Sequence, residues 1–130
     1  MSDNSEKLKI LLIDDDDIAL TIAVSMLSDD YDVTTVKSGK DALFLLLHDY
    51  KPDFILLDIL MPEMDGWETF HKIRGISLLR HVPIAFLTSV NDTDGMKYAQ
   101  EIGAVDFIIK PYEQNALLAR VQKILSEKAS

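Results

Sequence analysis

The chain has 130 residues, enough for one domain with little left for a second. Hydrophobic residues make up 48%, enough for a buried core, and 13 basic against 22 acidic residues leave a net charge of −9, which argues against a nucleic-acid surface. There is no cysteine, so disulfides and thiolate metal sites are excluded.

Residues 1–7 are polar, without the basic and apolar regions of a secretory leader, and no apolar run approaches the ~20 residues of a membrane span. A cytoplasmic domain with no membrane contact is expected. Lys9 to Asp14 reads as a buried strand, a short apolar run closed by acids. Asp17 to Leu27 reads as a helix with Ile18, Ile22, Met26 and Leu27 as its apolar positions, and Asp16 and Asp17 suit its start, where acids favour the helix dipole. Asp32 to Val36 is more polar, as suits an edge strand. Ser38 and Asp41 form a capping pattern for a helix reaching Tyr50.

Phe54 to Asp58 repeats the buried-strand pattern. Pro62 and Gly66 read as loop residues, and Trp67, Phe70 and Ile73 share one face of a third helix. Pro83 to Thr88 is a fourth strand. Asn91 or Asp92 can cap a fourth helix, ended by Gly103. Phe107 to Lys110 is a fifth strand, and Tyr112 to Leu125 a helix with Leu117, Leu118, Val121, Ile124 and Leu125 along its stripe. Five strand–helix units predict an α/β fold, a doubly wound parallel sheet with helices on both faces and right-handed crossovers. One domain over residues 8–126 is expected, with frayed ends at 1–7 and 126–130.

In such a sheet, ligands bind beyond the carboxyl ends of the strands. The first strand ends in Asp14, Asp15, Asp16 and Asp17; the third in Asp58; the fourth in Thr88 and Ser89; the fifth in Lys110 and Pro111. A carboxylate cluster repels itself, and a hard cation relieves the repulsion. Mg²⁺ needs few protein oxygens, and Asp15 and Asp58 can supply two of them. A carboxylate facing Mg²⁺ can attack phosphorus, with Lys110 and the Thr88 hydroxyl neutralising the transferred oxygens. His48, His71 and His81 have no ligand spacing and read as surface or packing residues.

Four segments, in order, resemble the receiver domain of bacterial two-component response regulators: Ile10 to Asp16, Pro52 to Gly66, Leu87-Thr88-Ser89, and Gly103 to Pro111. The resemblance covers about residues 8 to 126. It implies a flavodoxin-like (βα)5 fold with strand order 2-1-3-4-5 and a cis peptide before Pro111. It implies Asp58 as phosphoacceptor, and Mg²⁺ held by Asp14, Asp15, Asp58 and the backbone carbonyl of Leu60. It implies Lys110 as partner of a phosphoryl oxygen, and Thr88 and Phe107 as switch residues. The phosphoryl donor would be a sensor histidine kinase or a histidine phosphotransfer protein. The output, to an unidentified partner, would pass through the face made by the fourth helix, fifth strand and fifth helix, with Lys97, Tyr98, Glu101, Asp106 and Arg120 as candidates. Such a domain is not an enzyme in the ordinary sense; it catalyses only its own phosphorylation and slow dephosphorylation.

This chain has its own features. Phe107 stands where the family more often has Tyr, so a switch here rests on ring burial without a hydroxyl. Leu60 and Val90, two residues after Asp58 and Thr88, are apolar where polar residues can orient a hydrolytic water, so slow self-dephosphorylation is expected. A small phosphatase of the haloacid-dehalogenase type shares the acids after the first strand, but position 18 is Ile rather than Thr and Asp58 would have no role. A flavodoxin-like redox domain needs a phosphate loop where four acids stand. A receiver-like module that binds partners without phosphorylation is the remaining alternative; here all five expected polar positions are filled.

Overall fold

The computed structural model describes residues 7–129; the expectation of frayed ends at residues 1–6 and 130 lies outside them. In chain order the elements are β1 Lys9–Ile13, α1 Asp17–Leu27, β2 Asp32–Val36, α2 Gly39–Leu46, β3 Phe54–Leu57, α3 Gly66–Arg74, a 3-10 turn Ser77–Leu79, β4 Ile84–Thr88, α4 Thr93–Glu101, β5 Asp106–Ile109 and α5 Gln114–Ala129. The five strands are parallel, in the order β2-β1-β3-β4-β5.

Side chains alternate across a strand, so each buried strand feeds two cores. Leu11, Ile13, Ile55, Leu57, Ile84 and Phe86 pack on one face with Ala42 and Leu46 of α2, Phe70 and Ile73 of α3 and Ala99 of α4. Ile10, Leu12, Phe54, Leu56, Ala85, Leu87 and Ile108 pack on the other with Leu20, Ala23 and Leu27 of α1 and Leu117, Val121, Ile124 and Leu125 of α5. This double burial explains the unbroken apolar runs of β1, β3 and β4. β2 is an edge strand, none of whose residues is fully buried.

Helices α1 to α4 start on side-chain caps. Asp16, Ser38, Asp65 and Asp92 accept from the amides of Ile18, Asp41, Glu68 and Gly95. Each satisfies a donor that the first helical turn leaves unpaired. Gly103, at φ +95°, follows α4 in the left-handed conformation a glycine adopts without strain. The peptide between Lys110 and Pro111 is cis.

Several expectations shift. The helix expected to reach Tyr50 ends at Leu46. In α1 the core stripe is Leu20, Ala23 and Leu27, while Ile18 is 70% and Ile22 44% exposed. The segment is apolar on nearly every side, so its periodicity alone does not select the buried face. Gly66 belongs to α3 rather than to the preceding loop. The last helix begins at Gln114, not Tyr112, and runs on to Ala129. The 3-10 turn after α3 had no counterpart in the periodicity.

Candidate functional site

The parallel ladder continues past the strand ends and fixes the site. The Asp14 amide donates to the Val36 carbonyl at 3.1 Å, that of Asp58 to Ile13 at 2.9 Å, and that of Lys110 to Thr88 at 2.8 Å. Asp14, Asp58 and Lys110 are thereby pinned to one edge of the sheet before any side-chain contact is counted. Asp14 (3% exposed), Asp58 (6%) and Thr88 (0%) are the buried polar side chains there. Asp15 is exposed.

The Lys110 ammonium lies 2.5 Å from Asp14 Oδ2 and 3.7 Å from Asp58 Oδ2. Asp58 Oδ1 accepts from the Ile59 amide at 2.8 Å, and Asp14 Oδ1 from the Asp16 amide at 3.0 Å. Thr88 Oγ1 accepts from the Val90 amide at 3.2 Å. Burial first, and then the Asp14 carboxylate, raise the Asp58 carboxyl above its ordinary range; Lys110, a hydrogen bond from Thr88 and the Ile59 amide pull in the other direction. Raising wins, so one ammonium does not offset two buried carboxylates. Burial and Asp14 likewise raise the phenol of Tyr112.

This imbalance tests the fit to a cation. Asp14, Asp15 and Asp58 each offer a carboxylate oxygen, and these lie within 4.8 Å of one another. All donors are hard oxygens, with no nitrogen or sulfur among them, which suits Mg²⁺. The residues present fit that ion.

The predicted residues are brought together with few exceptions. Leu60 lies in the β3–α3 loop with its side chain 61% exposed, and Val90 packs partly buried against the α2–α3–α4 core. Phe107 lies farther off on β5, its ring 6.2 Å from that of Phe86. Ser89, Lys110 and Pro111 line a cleft of about 470 Å³ that Asp16, Ile18, Ile22 and Tyr112 complete. Tyr112 and the Ile59 amide were missed from sequence. The first was read as the start of a helix, and a backbone donor leaves no mark in residue type.

Beyond α4 and β5, Thr93, Met96, Lys97, Gln100, Phe107 and Arg120 line a groove of about 770 Å³. Arg120 Nε is 3.3 Å from Asp106 Oδ2, linking α5 to β5 there. Among the described residues, no helix is long and apolar enough to cross a membrane.

A parallel sheet in the order 2-1-3-4-5 with a carboxylate cluster and a lysine at its carboxyl edge defines a doubly wound domain with a cation-ready acidic pocket. The model of the response regulator receiver domain matches residues 10–122, and the chain belongs to that family. It is 39% identical over 124 residues to the transcriptional regulatory protein CpxR homolog of Haemophilus influenzae, covering 94% of this chain and 52% of that protein. It is 38% identical over 117 residues to the transcriptional regulatory protein AfsQ1 of Streptomyces coelicolor, covering 89% and 50%. The chain therefore spans about half the length of these curated relatives. Among solved structures it is similar to the BeF3-activated N-terminal receiver domain of Klebsiella pneumoniae RstA, at 33% identity, a TM-score of 0.82, and 90% and 97% coverage of the two chains. It is also similar to the signal receiver domain of a signal transduction histidine kinase from Syntrophus aciditrophicus, at 32% identity, a TM-score of 0.81, and 92% and 90% coverage. The receiver domain is a signalling module of two-component systems, and a phosphoacceptor switch fits both the family and the pocket.

Proposed function

We propose that Asp58 accepts a phosphoryl group from a phosphohistidine on a sensor histidine kinase or histidine phosphotransfer protein. A carboxylate oxygen of Asp58 bonds to phosphorus, the phosphorus–nitrogen bond of the donor breaks, and its electron pair stays with the imidazole. The observation that carries this reading is the burial of Asp58 beside Asp14, with the Lys110 ammonium 3.7 Å away. Asp14, Asp15, Asp58 and the Leu60 carbonyl would hold Mg²⁺, which when bound neutralises the clustered carboxylates and the charge of the transferred group. Lys110 stands ready to take a phosphoryl oxygen, exchanging part of its contact with Asp14 for a charge-assisted hydrogen bond. The Thr88 hydroxyl supplies a further donor.

Exposed Ile18 and Ile22 beside the cleft give the phosphodonor protein an apolar platform close to the acceptor. Downstream, new charge beside Thr88 and Lys110 biases the start of α4 and the end of β5, so the α4–β5–α5 face, with its groove, carries the output to a partner protein. The chemistry is confined to the domain's own phosphorylation and dephosphorylation.

Intact-mass measurement after incubation with acetyl phosphate, with and without Mg²⁺, tests the reading on wild type and Asp58→Asn. A phosphoryl adduct is expected only in wild type with Mg²⁺. A folded wild type that gains no adduct, or an Asp58→Asn variant that gains the same one, refutes it.

A further inference from the structure

α4 is loosely seated. Of its residues Thr93–Glu101, only Ala99 is buried. An element with so little buried surface lies at the low-stability end of a fold, where moving parts are found. A further hold on the molecule is aromatic. Tyr98 meets the ring of Trp67 on α3 edge-on, with centroids 4.9 Å apart. Its hydroxyl is hydrogen-bonded to Nε2 of His71 at 2.9 Å, one turn further along α3. One residue of α4 is thus held at two points of α3.

One end of this arrangement leads to the site and the other to Phe107. Trp67 follows Gly66, whose amide donates to the Ile59 carbonyl at 2.8 Å and where a Cβ would stand 2.2 Å from the Asp58 carbonyl oxygen. α3 therefore starts in contact with the backbone of Asp58. On its other side Trp67 packs against Phe86 of β4 at 4.7 Å, and Phe86 against Phe107 of β5 at 6.2 Å. The rings form an unbroken path Phe107–Phe86–Trp67–Tyr98 through packed side chains.

We propose that Trp67, Tyr98 and His71 form a clasp that positions α4, coupled through the start of α3 to Asp58 and through Phe86 to Phe107. This rests on Asp58 being the phosphoacceptor. The clasp gives the site a second route to α4, through α3, besides the connection from β4. A shift of the Phe107 ring or of the first turn of α3 alters the seat of Trp67, and Tyr98 carries the change to α4. His71 and Tyr98 are positioning residues here; neither touches the reacting atoms.

Trp67 is the chain's one tryptophan, so its emission reports on the clasp without labelling. Emission and intact mass are followed together on adding acetyl phosphate and Mg²⁺ to wild type and Tyr98→Ala, with emission change expressed per phosphorylated molecule. The clasp requires an emission change in wild type, and phosphorylation-dependent amide shifts of residues 93–101 that are mostly lost in Tyr98→Ala. An adduct in wild type without an emission change, or full shifts of residues 93–101 retained in Tyr98→Ala, overturns it. Absence of any adduct overturns the acceptor assignment, and the clasp as a relay falls with it. If Tyr98→Ala does not fold, Tyr98→Phe keeps the ring and removes the hydroxyl. Phosphorylation-dependent amide shifts of residues 93–101 should then shrink relative to wild type, and unchanged shifts overturn the proposal.

Discussion

Asp58 is almost wholly removed from water, and the surroundings that bury it also place Asp14 beside it. Its folded carboxyl therefore holds a proton more tightly than the unfolded one, whose ordinary value is 3.8. Between those two values the native state binds more protons, so this group's contribution to stability falls as pH rises through that window. At neutral pH the charge opposes folding of the metal-free protein. Asp58→Asn removes the charge at nearly constant volume, and in the presence of a chelator it should stabilise the fold by about 1 kcal/mol, or several degrees in melting temperature. The gain should shrink as pH is lowered toward the carboxylate range; a variant melting below wild type at pH 7 would show that the Lys110 and Ile59 contacts outweigh desolvation. Leu60 and Val90 belong to the same scale. Neither side chain can orient water, so we expect Leu60→Asn/Val90→Glu to lose its phosphoryl group faster than wild type, followed by decay of the adduct mass, and an equal or slower decay refutes that role.

At the scale of elements, the β3–α3 connection is the most constrained. A Cβ at position 66 would lie 2.2 Å from the Asp58 carbonyl oxygen and 2.6 Å from the Ile59 Cα, both backbone atoms that no rotamer change can move aside. Gly66→Ala should destabilise by about 1–3 kcal/mol in denaturant titration. It should also slow phosphorylation, because relief of the clash shifts the backbone that carries Asp58. Wild-type stability in that variant would mean the loop has slack. Glycine is readable in sequence at this position, yet its reason was not, since close approach of two backbones leaves no periodicity. The strand–helix alternation and the polar strand ends were legible, because strands buried on both faces read as continuous apolar runs that stop abruptly at Asp14, Asp58 and Thr88. The strand order came only with the family resemblance. The packed face of α1 was not legible, because Ile18 and Ile22 are as apolar as Leu20 and Leu27, and only the sheet decides between them. His71 is exposed, in line with its reading as a surface or packing residue; what was not legible is its partner Tyr98, 27 positions away on another helix.

For the whole molecule, the acidic pocket and the net charge of −9 make opposite demands on an experiment with Mg²⁺. Any salt screens the self-repulsion of an acidic chain and so stabilises it somewhat. A cation bound at Asp14, Asp15 and Asp58 does something different, because it binds the native state only and stabilises it by about 1.4 kcal/mol for each tenfold rise in concentration above its dissociation constant. Melting temperature should therefore climb steadily with the logarithm of Mg²⁺ concentration in wild type, beyond the rise in NaCl of equal ionic strength. In Asp58→Asn the metal-free protein should start higher and the Mg²⁺-dependent climb should be largely lost, so the two curves converge or cross. The crossing follows from one cause, since the carboxylate that costs stability without a cation is the one that draws the cation in. Equal rises in Mg²⁺ and NaCl would show that the cluster is only a screened acidic surface, and a variant that keeps the full Mg²⁺ dependence would remove Asp58 from the ligand set.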